Sequence, residues 1–314
     1  MKNLKIILTL CLVLTLCACG QQVDKGAEGD SQETQEEQVE QEFPTDPAEI
    51  YEYVDAANAE HQAYCGTDIV WYYLNGYLVI KGAGEMADYT PFVVGDEYDQ
   101  YKGFREDITG VIINDDITYI SANSFRDLPN LTYVKWPSSL ERIGYNAFYG
   151  CTSLESIELP SGTQVIDNNA FCACASLTDI VLPDTLVSIN QWAFNGCYNL
   201  KTLTIPNSVT TIGRKAFWGC LALEDVTFSE TLESIGQEAL SSCTSIKSYT
   251  IPKTVTEIGE NAFSGNNALE MLNILGDYSD VANIGLNDGV TIHYSSDALD
   301  EAASTLTQFT WVKD

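Results

Sequence analysis

The sequence predicts an α/β repeat solenoid: 23-residue coils stacked so that short strands form a parallel β-sheet along one face. Three recurring columns predict it. A small residue followed by Phe or Leu stands at Ser124-Phe125, Ala147-Phe148, Ala170-Phe171, Ala193-Phe194, Ala216-Phe217, Ala239-Leu240 and Ala262-Phe263. Leu131, Leu154, Leu177, Leu200, Leu223, Ile246 and Leu269 are each followed three residues later by Val134, Ile157, Ile180, Leu203, Val226, Tyr249 and Leu272. The third column is Ile120, Ile143, Ile166, Ile189, Ile212, Ile235 and Ile258, and no insertion interrupts the seven copies. A coil this short carries too few apolar groups to fold alone and hides them only against its neighbours.

Taken from the N-terminus, Lys2 and Lys5 precede an apolar run from Ile6 to Leu16 that is too short to span a membrane as a mature helix. It reads as an export signal over residues 1–18. The tetrad Leu16-Cys17-Ala18-Cys19 resembles the lipobox of bacterial lipoproteins, which implies cleavage before Cys19 and acylation of its thiol. A multiply acylated residue, at about 0.8 kcal/mol per buried CH₂, anchors a protein firmly at a membrane surface. Residues 19–45 are rich in Gln, Glu, Asp, Gly and Ser, with Lys25 their only basic residue and no aromatic before Phe43. Such a segment cannot bury enough apolar surface to order itself and reads as an acidic disordered tether. The chain's net charge of −30 argues against nucleic acid as a partner, because basic contacts to phosphate supply most of that affinity.

Residues 46–107 read as an N-terminal cap. Asp46 as N-cap, Pro47 at the first helical position and Glu49 two residues on predict a helix to about His61, with Ile50, Tyr53, Val54 and Ala57 on one face. Asn75-Gly76 between the apolar runs 69–74 and 77–80 predicts a β-hairpin covering the first coil, since both turn residues accept positive φ. Gly82-Ala83-Gly84 lacks the third glycine and following helix of a phosphate loop.

The repeats fill residues 108–275. Pro137, Pro160, Pro183, Pro206 and Pro252 end the strand-like run, since proline cannot donate to a ladder, and Ser229 and Leu275 depart from the column. The glycine at Gly144, Gly213, Gly236 and Gly259 predicts a turn, followed by a helical turn in which Ala allows close packing and Phe fills the core. Ser121, Asp167 and Asn190 replace that glycine, and Asn and Asp tolerate a left-handed backbone. The unit, best seen from Leu200 to Cys220, resembles the BspA-like leucine-rich repeats of bacterial surface proteins, as does the segment from Cys65 to Met86. That resemblance implies a cell-surface protein working in adhesion or protein binding. Residues 276–314 read as a C-terminal cap: strands over 290–294 and 309–312 with a helix over 296–303 between them.

Reactive groups are few. His61 and His293 are the only histidines, too little for histidine-based acid–base work, and no nucleophile elbow, zinc-protease or P-loop motif occurs. The reading is therefore no enzyme, no catalytic residue, no cofactor and no metal. Cys151, Cys174, Cys197, Cys220 and Cys243 occupy one repeat column and are expected to stack as buried thiols; side chains in register point alike, which disfavours disulfides. Cys172 departs from the column and is expected at the surface.

Two sets of residues could meet a ligand. Alternation along each strand turns Tyr133/Lys135, Ser156/Glu158, Asp179/Val181, Thr202/Thr204, Asp225/Thr227, Ser248/Thr250 and Met271/Asn273 outward, and the chosen sheet-face set is Tyr133, Lys135, Glu158, Asp179, Thr202, Thr204 and Asp225. The second set, on the side expected to be helical, is aromatic: Tyr145, Tyr149, Trp192, Tyr198 and Trp218. The expected function is adhesion or ligand binding outside a bacterial cell, toward a protein, host extracellular proteins included, or a glycan, with the membrane touched only through the N-terminal lipid. A structural envelope spacer and a glycan- or solute-capturing lipoprotein are the alternatives.

Overall fold

The computed structural model describes Pro44, residues 46–88, Tyr101 and residues 103–314. The expected leader, Cys19 and nearly all of the tether lie outside the described residues. The chain divides into two compact units between Tyr53 and Val54.

The first unit carries the predicted helix, with Asp46 capping it: its carboxylate accepts the Ala48 N–H at 2.8 Å and its carbonyl the Ile50 N–H at 2.9 Å. The helix spans Pro47–Tyr53 and does not reach His61. Asp55 and Asn58 stop it, because the Asp55 carboxylate accepts the Ala57 N–H and the Asn58 side chain accepts the Asp55 N–H, a local pairing that competes with helical bonds. His61 instead opens a strand, His61–Tyr64.

The second unit is the solenoid, and its strands form two ladders. The back ladder is unbroken: eight parallel strands run through Gly84–Glu85, Ile117–Ile120, Arg142–Ile143, Val165–Ile166, Ser188–Ile189, Thr211–Ile212, Ser234–Ile235 and Glu257–Ile258. Among the described residues the front ladder is in four pieces. Its first has His61–Tyr64 antiparallel to Val70–Leu74 and the latter antiparallel to Tyr77–Lys81 across the Asn75-Gly76 turn, where φ is 47° and 87°. Tyr77–Lys81 then pairs in parallel with Gly110–Ile113, and this with Tyr133–Lys135, so the predicted hairpin does cover the first coil. Two separate pairs follow, Ser156–Glu158 with Asp179–Val181 and Thr202–Thr204 with Asp225–Thr227. The last piece is Ser248–Ile251, Met271–Ile274, Thr291–Tyr294 and Thr310–Lys313, all parallel, with helical residues Asp297–Leu299 and Asp300–Thr305 between its final two strands.

The side expected to be helical is a run of turns. Within a coil, N–H groups bond three residues back, as Ala147 to Gly144, Tyr149 to Asn146 and Cys151 to Phe148. The alternate N–H groups reach the next coil, as Asn146 to Asn168, Phe148 to Ala170 and Gly150 to Cys172. A helix would keep every bond inside the coil; here half of them tie coils together. The geometry requires two left-handed residues per coil, four apart: Asn123, Asn146, Asn169, Trp192, Lys215, Glu238 and Asn261 in one column, and Asp127, Gly150, Ala173, Gly196, Gly219, Ser242 and Gly265 in the other. The glycine read from the sequence as the turn residue is not left-handed. At Gly213 and Gly259 it is needed for close approach, since a Cβ would sit 2.6 Å from the Asn190 carbonyl carbon and 2.3 Å from the Gln237 nitrogen.

The core is a stack along the solenoid axis. Phe125, Phe148, Phe171, Phe194 and Phe217 are fully buried, with successive ring centroids 5.2, 5.4, 5.3 and 5.4 Å apart. Beside them stand Cys151, Cys174, Cys197, Cys220 and Cys243, free and buried, each thiol donating to the carbonyl of a Phe in the preceding coil at 3.2 to 3.6 Å. Burial pushes the Cys151 and Cys243 thiols up to about 12. Cys172, expected at the surface, is buried too, 9% exposed with its Sγ 3.7 Å from Asn195 Oδ1, because its place in the turn run faces the next coil. Asn266 ends the cysteine column, accepting the Cys243 N–H at 2.7 Å and donating to the Tyr249 hydroxyl at 3.0 Å.

Candidate functional site

The outward residues of the front ladder form two rows, and their availability changes along the solenoid. Register places Val79, Ile112 and Lys135 in one row and Tyr77, Gly110 and Tyr133 in the other. Val79 and Ile112 are completely buried although they do not belong to the main core cluster, and a Cβ on Gly110 would lie 2.4 Å from the Tyr77 ring. From Tyr133 onward the face opens. Tyr133, Glu158, Asp179, Thr202, Thr204 and Asp225 are exposed and Lys135 is half-buried, with Glu158 and Asp179 on one strand pair and Thr202, Thr204 and Asp225 on the next. Lys135 is held by Asp115, with Nζ 3.3 Å from Oδ2; the Ser138 N–H and this ammonium keep the Asp115 carboxyl below its ordinary range. Asp179 accepts the Thr178 hydroxyl at 2.6 Å.

The five aromatic residues of the second set are not gathered into one place. Tyr149 and Trp218 occupy the same column of the turn run but stand three coils apart, and both are half-buried. Trp192 is left-handed at φ 57°, in a column otherwise dominated by Asn, and Arg214 stacks over its ring with Cζ 5.6 Å from the centroid. Arg126 covers Tyr149 in the same way at 4.8 Å. Tyr145 is half-buried, and Tyr198, 46% exposed, is the one member set well out into solvent. His61 stacks on Phe104 at 4.5 Å, and His293 Nδ1 lies 3.2 Å from Asp314 Oδ1.

Two open grooves escaped the sequence reading. One, of about 560 Å³, runs beside the back ladder and is lined by Asn168, Val187, Asn190, Gln191, Thr210 and Arg214 among others. The other, of about 660 Å³, lies at the C-terminal ends of the front strands, where Trp136, Ser138, Glu158, Pro160, Asp184 and Thr185 contribute. A signal for the second was present: Trp136 is the only tryptophan in a column whose other members are Leu159, Leu182, Ile205, Phe228, Ile251 and Ile274. Among the described residues no group of three or more His, Cys, Asp or Glu could hold a metal ion.

Solved structures similar to the chain include a leucine-rich repeat protein of T. pallidum, 22% identical over 83% of this chain and 99% of that one with a TM-score of 0.45. A leucine-rich repeat protein of Eubacterium ventriosum is 21% identical over 76% and 79%, TM-score 0.39. A leucine rich cell surface protein of Faecalibacterium prausnitzii is 19% identical over 77% and 97%, TM-score 0.27. No curated protein matches. The model of the BspA type leucine rich repeat region matches in six copies over residues 100–220 and 164–287, more than half of the sequence, and the chain belongs to that family.

Proposed function

We propose that this is a bacterial cell-surface binding protein, anchored by lipid on Cys19 and held off the membrane by the acidic segment 19–45, whose front face contacts a protein or glycan. The carrying observation is the change along that face: Val79, Gly110 and Ile112 in its first parallel strands are buried, while Tyr133, Glu158, Asp179, Thr202, Thr204 and Asp225 are exposed and Lys135 is half-buried. A long repeat scaffold of this kind displays side chains on a rigid framework, which suits recognition better than chemistry. Membership of the BspA type family supports a surface location.

The test is retention of the intact protein on a panel of extracellular-matrix proteins and glycans. Loss of a retained partner in Tyr133→Ala/Asp179→Ala, with retention in Trp192→Ala/Trp218→Ala, supports the front face. The reverse moves binding to the turn run, and no retained partner at all favours an envelope spacer. A glycan reading has its own support in the Asn168–Arg214 groove, where amides, hydroxyls and a guanidinium offer both donors and acceptors. For the anchor, Cys19→Ala is expected to release the protein from the membrane fraction; a variant that stays there removes the lipid from this account.

A further inference from the structure

The groove at Trp136 lies where the front ladder first breaks. Among the described residues no strand pairing joins Tyr133–Lys135 to Ser156–Glu158, whereas the same coils remain paired in the back ladder through Ile143 and Ile166. Val134, in the inward column beside Ile157, is half-buried where Ile157 is 2% exposed, and Trp136 packs its ring against Phe148 at 5.1 Å and Phe171 at 6.2 Å. The coils part here around a tryptophan anchored in the core.

The lining is acidic, and its donors include the Trp136 indole N–H and the Ser161 hydroxyl. Glu158 and Asp184 are exposed carboxylates, and among the described residues no cationic side chain lines the groove. Pro160 and Pro183 have no N–H to offer. The Ser138 N–H is spent on Asp115, the Leu159 N–H on the Val181 carbonyl, and the Thr185 hydroxyl on the Ser161 and Thr163 carbonyls. Lys135, next to Trp136 in the chain, is held by Asp115 and lies outside the lining. A guanidinium or ammonium group only donates, carboxylates with no neighbouring cation in the lining attract its charge, and an aromatic wall adds to that attraction.

We propose that this groove receives an arginine or lysine side chain of a protein partner, with Glu158 and Asp184 accepting its N–H groups and Trp136 as its aromatic wall. The proposal rests on the reading of the front face as a binding surface and narrows its partner to a basic protein segment.

The probe is the blocked peptide acetyl-Gly-Arg-Gly-Arg-Gly-amide, titrated into the intact protein by calorimetry at low and physiological salt, with the citrulline peptide as its neutral counterpart. Glu158→Gln and Asp184→Asn should each weaken binding about tenfold. Trp136→Leu, which installs the residue found at Leu159 and Leu182, should weaken it about fivefold. Glu230→Gln removes the same charge from an exposed site away from the groove and should change affinity less than about twofold. Equal weakening by Glu230→Gln, equal binding of the citrulline peptide, or no binding by the arginine peptide would overturn the proposal. If Trp136→Leu fails to fold, the two carboxylate variants decide alone. Should the peptide fail while Tyr133→Ala/Asp179→Ala still abolishes a partner, the groove falls and the face stands; the opposite pattern separates them the other way.

Discussion

The back ladder and the front ladder are built from the same coils, yet one runs unbroken through eight strands and the other is cut three times. The back strands carry the isoleucine column, all but one of whose members are fully or nearly fully buried, and adjoin the turn run whose alternate N–H groups stitch each coil to the next. The front strands carry Tyr, Ser, Asp, Thr and Met in one outward row and Lys, Glu, Val, Thr and Asn in the other. Stacking in a solenoid is thus secured on the side where the sequence repeats. The side where it varies can lose ladder bonds and open a groove without losing the fold.

The sharpest way to break the comparison is to cut into the repeated side. Phe194 lies fully buried between Phe171 at 5.3 Å and Phe217 at 5.4 Å, so Phe194→Ala should cost about 3–5 kcal/mol. Phe194→Leu, the residue this column holds at Leu240, should cost about 1–1.5 kcal/mol, whereas Thr202→Ala/Thr204→Ala on the front should stay within about 0.5 kcal/mol. Urea unfolding of the three variants measures this; a front-face cost equal to that of Phe194→Ala would erase the distinction.

Alkaline pH tests the same side through its thiols. A buried thiol raised from an unfolded 9.0 to about 12 contributes stability fully present below pH 9 and lost as pH rises toward 12, because the unfolded chain releases its proton first. Between pH 10 and 11 each such thiol adds a slope of about 1.4 kcal/mol per pH unit. Cys151→Ala should therefore flatten the stability–pH curve by about that amount in this window. An unchanged slope would mean that the thiol is not buried.

Thr163 is an exception on the inner side. It stands in the column of Leu140, Leu186, Val209, Leu232 and Val255, fully buried, with no hydrogen-bond partner for its hydroxyl among the described residues. Thr163→Val keeps the shape and removes a desolvated hydroxyl, so a gain of about 1 kcal/mol is expected. A loss on thermal or urea unfolding would show that the hydroxyl is satisfied in solution.

The period of 23, the phenylalanine, isoleucine and cysteine columns and the Asn75-Gly76 hairpin were legible because each is a local chemical signal repeated or uniquely placed. The turn run was not, since an Ala-Phe-x-x-Cys spacing reads like one face of a helix and hydrogen bonds between coils leave no spacing signal of their own. The two left-handed columns did leave a trace in Asn123, Asn146, Asn169 and Asn261 and in Gly150, Gly196, Gly219 and Gly265, but the glycine beside the isoleucine drew the turn assignment instead. The sheet-face residues followed from strand alternation alone. The groove at Trp136 depends on how far neighbouring coils stand apart, a distance set by packing around that ring and absent from any single repeat.

Those left-handed columns supply the smallest effect and the cleanest one. At Gly219 φ is 74° and the nearest atom to an added Cβ is Tyr198 Cε1 at 3.9 Å, so Gly219→Ala meets no obstruction and should lose about 1 kcal/mol from backbone conformation alone. Ala173 occupies the same column at φ 61°, and Ala173→Gly relieves that strain while admitting more freedom to the unfolded chain, leaving a gain of about 0.5 kcal/mol. The opposite signs are the point: the two substitutions exchange the same pair of residues at equivalent places in coils two apart. If both destabilise, side-chain packing rather than φ governs the column, and the turn run would not be the rigid seam that lets the front ladder come apart.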